Sequence, residues 1–390
     1  MMIKPRTILD RIRPYSDSPE AIIITGMRRT GKTTLLELIY GQIESSNKLI
    51  LDLENPINRK YFEEPNYERI KSSFMFLGLD FTQRAHIFLD EIQFVKSLPS
   101  VVKYFIDHYR IKFFLTGSAS FYLKNLFTES LSGRKYLFEL FPLTFREFLS
   151  FKDSPLKLPE DPRDITRPIH ESLSPLYGEY VRFGGFPGVV LKSTAAEKER
   201  ALDEIFTSFF QLEIIQLGDF RKNDIIRDLM LLLAQRVGAK LDIQKISREL
   251  GISRPTLYDY LAFLEGTFFL KMIRPFSTKR NSEIRKMPKV YFCDSGLAGR
   301  LASLEEGRLF ENSIFQNLRL KGEVGFYERK HGGEIDFILN KENGYEVKIT
   351  PQQRDVNQLN RLAQELRLKT FQIVSKNYAE LDNVTYGFMI

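Results

Sequence analysis

The sequence predicts an α/β protein: a doubly wound parallel sheet, then a helical segment, a winged helix and a second, smaller α/β domain. Three observations predict it. A glycine-rich loop, Gly26-Met27-Arg28-Arg29-Thr30-Gly31-Lys32-Thr33, sits between an apolar run of strand length and a helical pattern. Two further apolar runs downstream, ending at Asp90 and near Thr116, read as buried parallel strands. Past residue 220 the pattern changes to short helices with clear boundary signals, then to alternating strands that carry acids and a lysine.

The first strand is Ala21-Ile22-Ile23-Ile24-Thr25, apolar throughout as a strand buried on both faces requires. The helix follows as Thr34-Leu35-Leu36-Glu37-Leu38-Ile39-Tyr40, with one buried face. Strand, loop and helix N-terminus together make a P-loop, in which backbone amides and the helix dipole favour a phosphate. Gly26, Thr30, Gly31 and Thr34 shape the cradle, and Lys32 is placed to reach β and γ phosphates. The Thr33 hydroxyl is a candidate ligand for Mg²⁺. Arg28 and Arg29 lie inside the loop, where either can touch phosphate or stay solvated.

Ile87-Phe88-Leu89-Asp90-Glu91 has the form of a strand ending in two carboxylates. In such an arrangement the first acid, Asp90, belongs to the Mg²⁺ shell and the second, Glu91, polarises the attacking water. Ile111-Lys112-Phe113-Phe114-Leu115 then runs into Thr116-Gly117-Ser118, so Thr116 or Ser118 can orient that water beside the γ phosphate. Ser118 is equally suited to capping a helix over Phe121-Tyr122-Leu123. Arg134, ahead of the apolar Tyr136-Leu137-Phe138, is placed to reach a nucleotide in a neighbouring subunit and neutralise transferred charge. A surface ion pair is the alternative for Arg134.

Composition limits the classes. The 390 residues suit two or three domains, with 43% hydrophobic and 27% charged side chains and ample core. A net charge of +7 favours an anionic partner without specifying one. Cys293 is the sole cysteine, so no intrachain disulfide forms. The four histidines, His86, His108, His170 and His331, are too scattered to build a zinc cluster. No apolar run spans a bilayer and no secretory segment opens the chain, so the expected location is cytoplasmic.

The loop and the stretches Leu51-Asp52-Leu53-Glu54-Asn55-Pro56, Phe88-Leu89-Asp90-Glu91-Ile92-Gln93, Leu115-Thr116-Gly117-Ser118 and Leu131-Ser132-Gly133-Arg134 carry a resemblance that continues through Phe141-Pro142-Leu143-Thr144-Phe145 and Phe183-Gly184-Gly185-Phe186-Pro187. The chain resembles an archaeal and bacterial family of AAA-type P-loop ATPases with a C-terminal domain long described as of unknown function. That resemblance implies ATP as the nucleotide, a doubly wound sheet and a homo-oligomer. It sets an AAA-type core at 1–150 and, from the Pro- and charge-rich stretch onward, a helical lid at 151–222. Arg182 and Arg200 are the lid's candidate sensor arginines.

Residues 223–277 read as a winged helix. The helix-like Ile225–Val237 is followed by two shorter helices divided at Gly251-Ile252, with Ser253 as N-cap and Pro255 in the first turn. Phe268-Phe269-Leu270 begins the wing, and Arg254, Thr256 and Tyr258 can face a major groove or phosphates. Such modules also dock proteins. Seven basic residues over 271–289 (Lys271, Arg274, Lys279, Arg280, Arg285, Lys286, Lys289) against Glu283 favour DNA phosphates.

In residues 283–390, Gly333-Glu334-Ile335-Asp336-Phe337 alternates strictly and a turn at Asn343-Gly344 leads into Tyr345-Glu346-Val347-Lys348-Ile349. The pair would bring Asp336, Glu346 and Lys348 together, a set able to hold Mg²⁺ and stabilise charge during phosphodiester cleavage. Glu311, opening a helix over 312–320, adds a further candidate ligand. The arrangement is similar to the restriction-nuclease-like fold, with Ile335 where a proline often precedes the aspartate. The expected function is a Mg²⁺-dependent ATPase working at DNA. A nucleotide-controlled switch binding protein partners, or an ATP-regulated metal-dependent DNA nuclease, are the alternatives.

Overall fold

The computed structural model describes residues 4–118, 131–218, 220, 222–276, 287–329 and 332–390. The chain divides into two compact units: the residues up to Phe141 together with Gly266–Phe268, and Pro142–Glu265 together with Phe269–Ile390.

The first unit is built on five strands: β1 (Ala21–Thr25), β2 (Lys48–Asp52), β3 (Ala85–Asp90), β4 (Ile111–Gly117) and β5 (Lys135–Glu139). All four pairings are parallel, in the order β2-β3-β4-β1-β5. Alternate residues divide the core between two faces, as the period of two requires. Ile23, Ile87, Leu89, Phe113 and Leu115 pack on one side with Phe62, Phe74, Val102 and Phe105. Ile22, Ile24, Phe88 and Phe114 pack on the other against Leu35, Leu36 and Ile39 of α1 (Lys32–Gln42) and against Ile8, Leu9 and Ile12. The expected doubly wound parallel sheet is therefore present. Register carries three motifs to the same end of adjacent strands: Ile24 pairs with Thr116, and Leu115 with Leu89, one residue before Asp90.

The second unit opens with helices. They are α2 (Phe145–Phe151), α3 (Arg167–Phe183) and α4 (Ala195–Phe209), the last running on into a π-helix over Phe210–Leu217. The unit begins at Pro142, ahead of the expected boundary near Ser150, because α2 belongs to it. Thr144 and Glu147 form a reciprocal capping box at its start. α3 stops where Gly184 adopts φ 78°, and the Gly185 amide donates to the buried Asp294 carboxylate at 2.7 Å.

Three more helices follow, α5 (Asn223–Ala234), α6 (Ile243–Glu249) and α7 (Arg254–Gly266). A two-stranded antiparallel ribbon comes next, β6 (Leu270–Ile273) with β7 (Lys289–Phe292). Isolated bridges join Val237 and Lys240 to β7. Asp242 caps α6 through the Lys245 amide, and Ser253 accepts from the Thr256 amide at the start of α7. The ribbon starts at Leu270 because Phe268 turns the chain at φ 62°.

After α8 (Ser295–Leu301) and α9 (Glu306–Leu318) comes a mixed sheet of β8 (Val324–Glu328), β9 (Glu334–Leu339), β10 (Asn343–Lys348), β11 (Thr370–Ser375) and β12 (Val384–Tyr386). β8, β9 and β10 pair antiparallel, then β10, β11 and β12 parallel, with α10 (Gln353–Leu366) as the crossover. The turn between β9 and β10 falls three residues earlier than the Asn343-Gly344 signal suggests. Asn340 and Lys341 take φ of 52° and 62°, while Asn343 and Gly344 pair with Leu339 and Ile338. Gly344 packs beneath Leu368, whose side-chain end would have to shift from the 2.8 Å approach of an added Cβ. Glu311 lies inside α9, one turn and more from its start, rather than opening a helix.

Candidate functional site

The P-loop leaves β1 and returns into α1 as a closed backbone nest. Gly26 has φ 156°, and a Cβ at that position would meet the Leu140 carbonyl oxygen at 2.1 Å. Thr30 Oγ1 donates to the Met27 carbonyl at 2.9 Å, and Gly31 enters the helix at φ 95°. The Lys32 ammonium curls back under the loop, donating to the carbonyls of Gly26 and Met27 at 3.0 Å each. Thr33 and Thr34 are exposed on the first turn of α1, as is Arg29 at φ 66°. Arg28 is buried instead, and its guanidinium turns toward Glu91. From the N-terminal segment, Arg6 donates to the Thr30 carbonyl at 2.9 Å and to the Phe141 carbonyl at 2.7 Å.

Asp90 ends β3 directly beside this loop. Its carboxylate accepts from Thr33 Oγ1 at 2.7 Å and from the Thr116 hydroxyl. Burial pushes the Asp90 carboxyl above its ordinary range, while the Thr116 and Thr33 hydroxyls pull the other way. Thr116 itself is fully buried. Glu91 takes a left-handed backbone, φ 53°, which swings its side chain off the line of the strand. One carboxylate oxygen lies 3.9 Å from Arg28 Nη1, and the other accepts from Gln93 Nε2. Gln93 Nε2 also reaches Ser118 Oγ at 2.9 Å. Each expected sensor side chain is thus tied to one acid, Thr116 to Asp90 and Ser118 to Glu91 through Gln93. The helix over 121–123 expected after Ser118 lies outside the described residues.

Sequence reasoning gave Gln93 no role. Its signal is available, an amide two residues past a paired acid, but only the fold brings Ser118 onto it. Arg134 stands at the start of β5, where its carbonyl accepts from the Ala21 amide. That is the end of the sheet away from the P-loop, so Arg134 does not approach the loop of its own chain. Within the protomer it pairs with Asp107 at 2.6 Å.

A second constellation lies in the other unit. Asp336 on β9 accepts from the Val347 amide at 2.8 Å, and Lys348 donates to Glu346 at 2.6 Å on β10. Tyr291 donates its hydroxyl to Glu311. Lys289 stands among these acids: its ammonium bonds Glu334 and lies 4.0 Å from Glu311 and 3.9 Å from Asp336. Lys289, counted among the phosphate-facing bases of the 271–289 stretch, is therefore buried against carboxylates instead. Arg274 is exposed and Lys271 pairs with Glu265, while Lys279, Arg280, Glu283, Arg285 and Lys286 lie outside the described residues.

Burial, then the charge of Asp336, lifts the Glu311 carboxyl to about 7, and the same pair of causes lifts Glu346 to about 8. Burial opposes the charge on Lys289, yet the surrounding Glu311, Asp336 and Glu334 hold its pKa above the ordinary lysine range. The donors are hard oxygens of the kind Mg²⁺ takes. Glu346 Oε2 is buried with no hydrogen-bond partner among the described residues. Among those same residues, no group of three or more acids, histidines or cysteines is drawn together tightly enough to hold a metal ion. No helix among the described residues is long and apolar enough to cross a membrane.

Comparison with known proteins gives two family matches. Residues 18–149 match the model of an AAA domain, and residues 174–308 that of a domain of unknown function (DUF8612). An uncharacterized protein of Methanocaldococcus jannaschii is 27% identical over 93% of this chain and 83% of its own length. Another, from Haemophilus influenzae, is 28% identical over 87% of this chain and 84% of its own. Among solved structures, the Aeropyrum pernix ORC1 protein in complex with DNA overlaps with a TM-score of 0.37 at 14% identity, covering 77% of this chain and 94% of that one. The parallel sheet and the P-loop motif both lie in the stretch that matches the AAA model, so the first unit is similar to an AAA domain.

Proposed function

We propose that the protein is a Mg²⁺-dependent ATPase whose C-terminal modules act on DNA. The observation that carries the reading is the hydrogen bond of 2.7 Å between Thr33 and Asp90, side chains 57 residues apart in sequence. A hydroxyl and a carboxylate meeting beside a phosphate cradle are the oxygen pair that suits Mg²⁺. Thr33 and Asp90 would hold that ion, which when bound neutralises charge on the β and γ phosphates. Lys32 moves its ammonium from the loop carbonyls to those phosphates, Glu91 receives a proton from the attacking water, and Thr116 holds Asp90 in place.

DNA enters through the second unit. Three helices, bridges at Val237 and Lys240 and an antiparallel ribbon support a winged-helix reading of the segment from α5 to β7. Arg254 and Tyr258 stand exposed on α7, Tyr258 at 56%. The net charge of +7 agrees in sign. Arg134, away from its own loop, is suited to completing a neighbour's site in a homo-oligomer.

One observation favours a nuclease as a second reading. The β8–β12 sheet with its crossover helix supports a restriction-nuclease-like fold, and Glu346 Oε2, without a partner among the described residues and amid other carboxylates, suits a cation.

Steady-state ATP hydrolysis tests the main reading. Lys32→Ala and Glu91→Gln are each expected to lower kcat by about 10²-fold or more. Wild-type rates in both variants would overturn it.

A further inference from the structure

We propose that the Gln93 carboxamide orients the attacking water beside Glu91, making Gln93, Glu91 and Ser118 one hydrolytic relay. The inference rests on the ATPase reading above and adds to it a residue that touches the reacting water.

The chemistry of the contacts fixes which way the amide faces. A carboxylate only accepts hydrogen bonds, so the nitrogen of Gln93 must be the atom against Glu91. The same nitrogen reaches Ser118 Oγ at 2.9 Å, and its two hydrogens are then both committed. The amide oxygen is left over. Gln93 is only 8% exposed, and its Oε1 is buried with no hydrogen-bond partner among the described residues. An acceptor left in that condition is costly to the fold. Such a group calls for an explanation, and a donor that arrives with the substrate supplies one.

Water supplies that donor in the right place. Oε1 belongs to the same amide as the nitrogen bonded to Glu91, so the two acceptors are neighbours. The other Glu91 oxygen faces the P-loop arginine, Arg28, at 3.9 Å, which sets the carboxylate between the amide and the phosphate cradle. A water there donates one hydrogen to Glu91 and the other to Gln93 Oε1, and turns a lone pair outward. Its oxygen forms a bond to the γ phosphorus as the bond from that phosphorus to the β–γ bridging oxygen breaks. The water proton passes to Glu91, and ADP and inorganic phosphate leave.

Replacing Gln93 by methionine separates this role from packing, because Gln93→Met keeps length and burial but neither donates nor accepts there. The experiment measures kcat by phosphate release and affinity by fluorescence of mant-ADP, for wild type, Gln93→Met, Gln93→Ala and Glu91→Gln. The expected result is a fall in kcat of about 30- to 100-fold in both Gln93 variants, with mant-ADP affinity within about twofold of wild type. Wild-type kcat in Gln93→Met, with Glu91→Gln inactive, would overturn this inference and leave the ATPase reading standing. Full activity in Glu91→Gln as well would remove both.

Discussion

Single side chains decide most of the chemistry, and several do so by being buried with a charge or a proton. Asp294 is wholly buried, accepting from the Gly185 amide at 2.7 Å and the Leu297 amide at 3.0 Å. Burial lifts its carboxyl to about 6 against those stabilising amides. The folded chain therefore holds this proton more tightly than the unfolded chain does. Stability from Asp294 is full below the unfolded pKa of 3.8 and is lost as pH rises through about 6, by about 3 kcal/mol in all. Asp294→Asn does not titrate, so the gap in denaturant midpoint between wild type and variant should narrow from pH 4.5 to 6.5. A gap that stays constant would show that the carboxyl is ionised throughout. Lys32, Thr33, Asp90 and Glu91 could be picked out as candidates in the sequence because each lies in a short contiguous motif, and the structure brings Thr33 onto Asp90. Gln93 and Lys289 were not, since each gains its meaning from partners that only the tertiary fold delivers.

Elements show the same division. The strands of the first unit could be read from apolar runs, because a sheet buried on both faces leaves no polar alternation to misplace. The β9–β10 hairpin was harder. Asn-Gly is a strong turn signal, yet Asn340-Lys341 turns the chain and Gly344 serves packing against Leu368. The turn shifted without changing which residues face the acids, since Glu334 and Asp336 still meet Lys289 on one face of β9. For the nuclease reading, incubation of the full chain with plasmid and Mg²⁺ should give nicking that EDTA abolishes. Asp336→Ala should reduce it by about a hundredfold, as loss of a cation ligand does. Equal digestion by wild type and variant would assign any cleavage elsewhere.

At the scale of the molecule, a nucleotide unit is followed by a unit whose helices, ribbon and mixed sheet share one compact body. If that body grips DNA, duplex should raise the ATPase rate, and log affinity should fall with log salt by about 0.9 for each phosphate engaged. Arg254→Ala should weaken binding and shallow that slope by about one. A rate indifferent to duplex, with no salt-dependent binding, would leave a switch that addresses proteins.

The backing of the P-loop has a consequence of its own. The Leu140 carbonyl occupies the room a side chain at residue 26 would take, and Arg6 staples Thr30 to Phe141, the last residue before the second unit. Any side chain larger than hydrogen at residue 26 would therefore have to displace the backbone at Leu140, next to the residue that Arg6 ties to the loop.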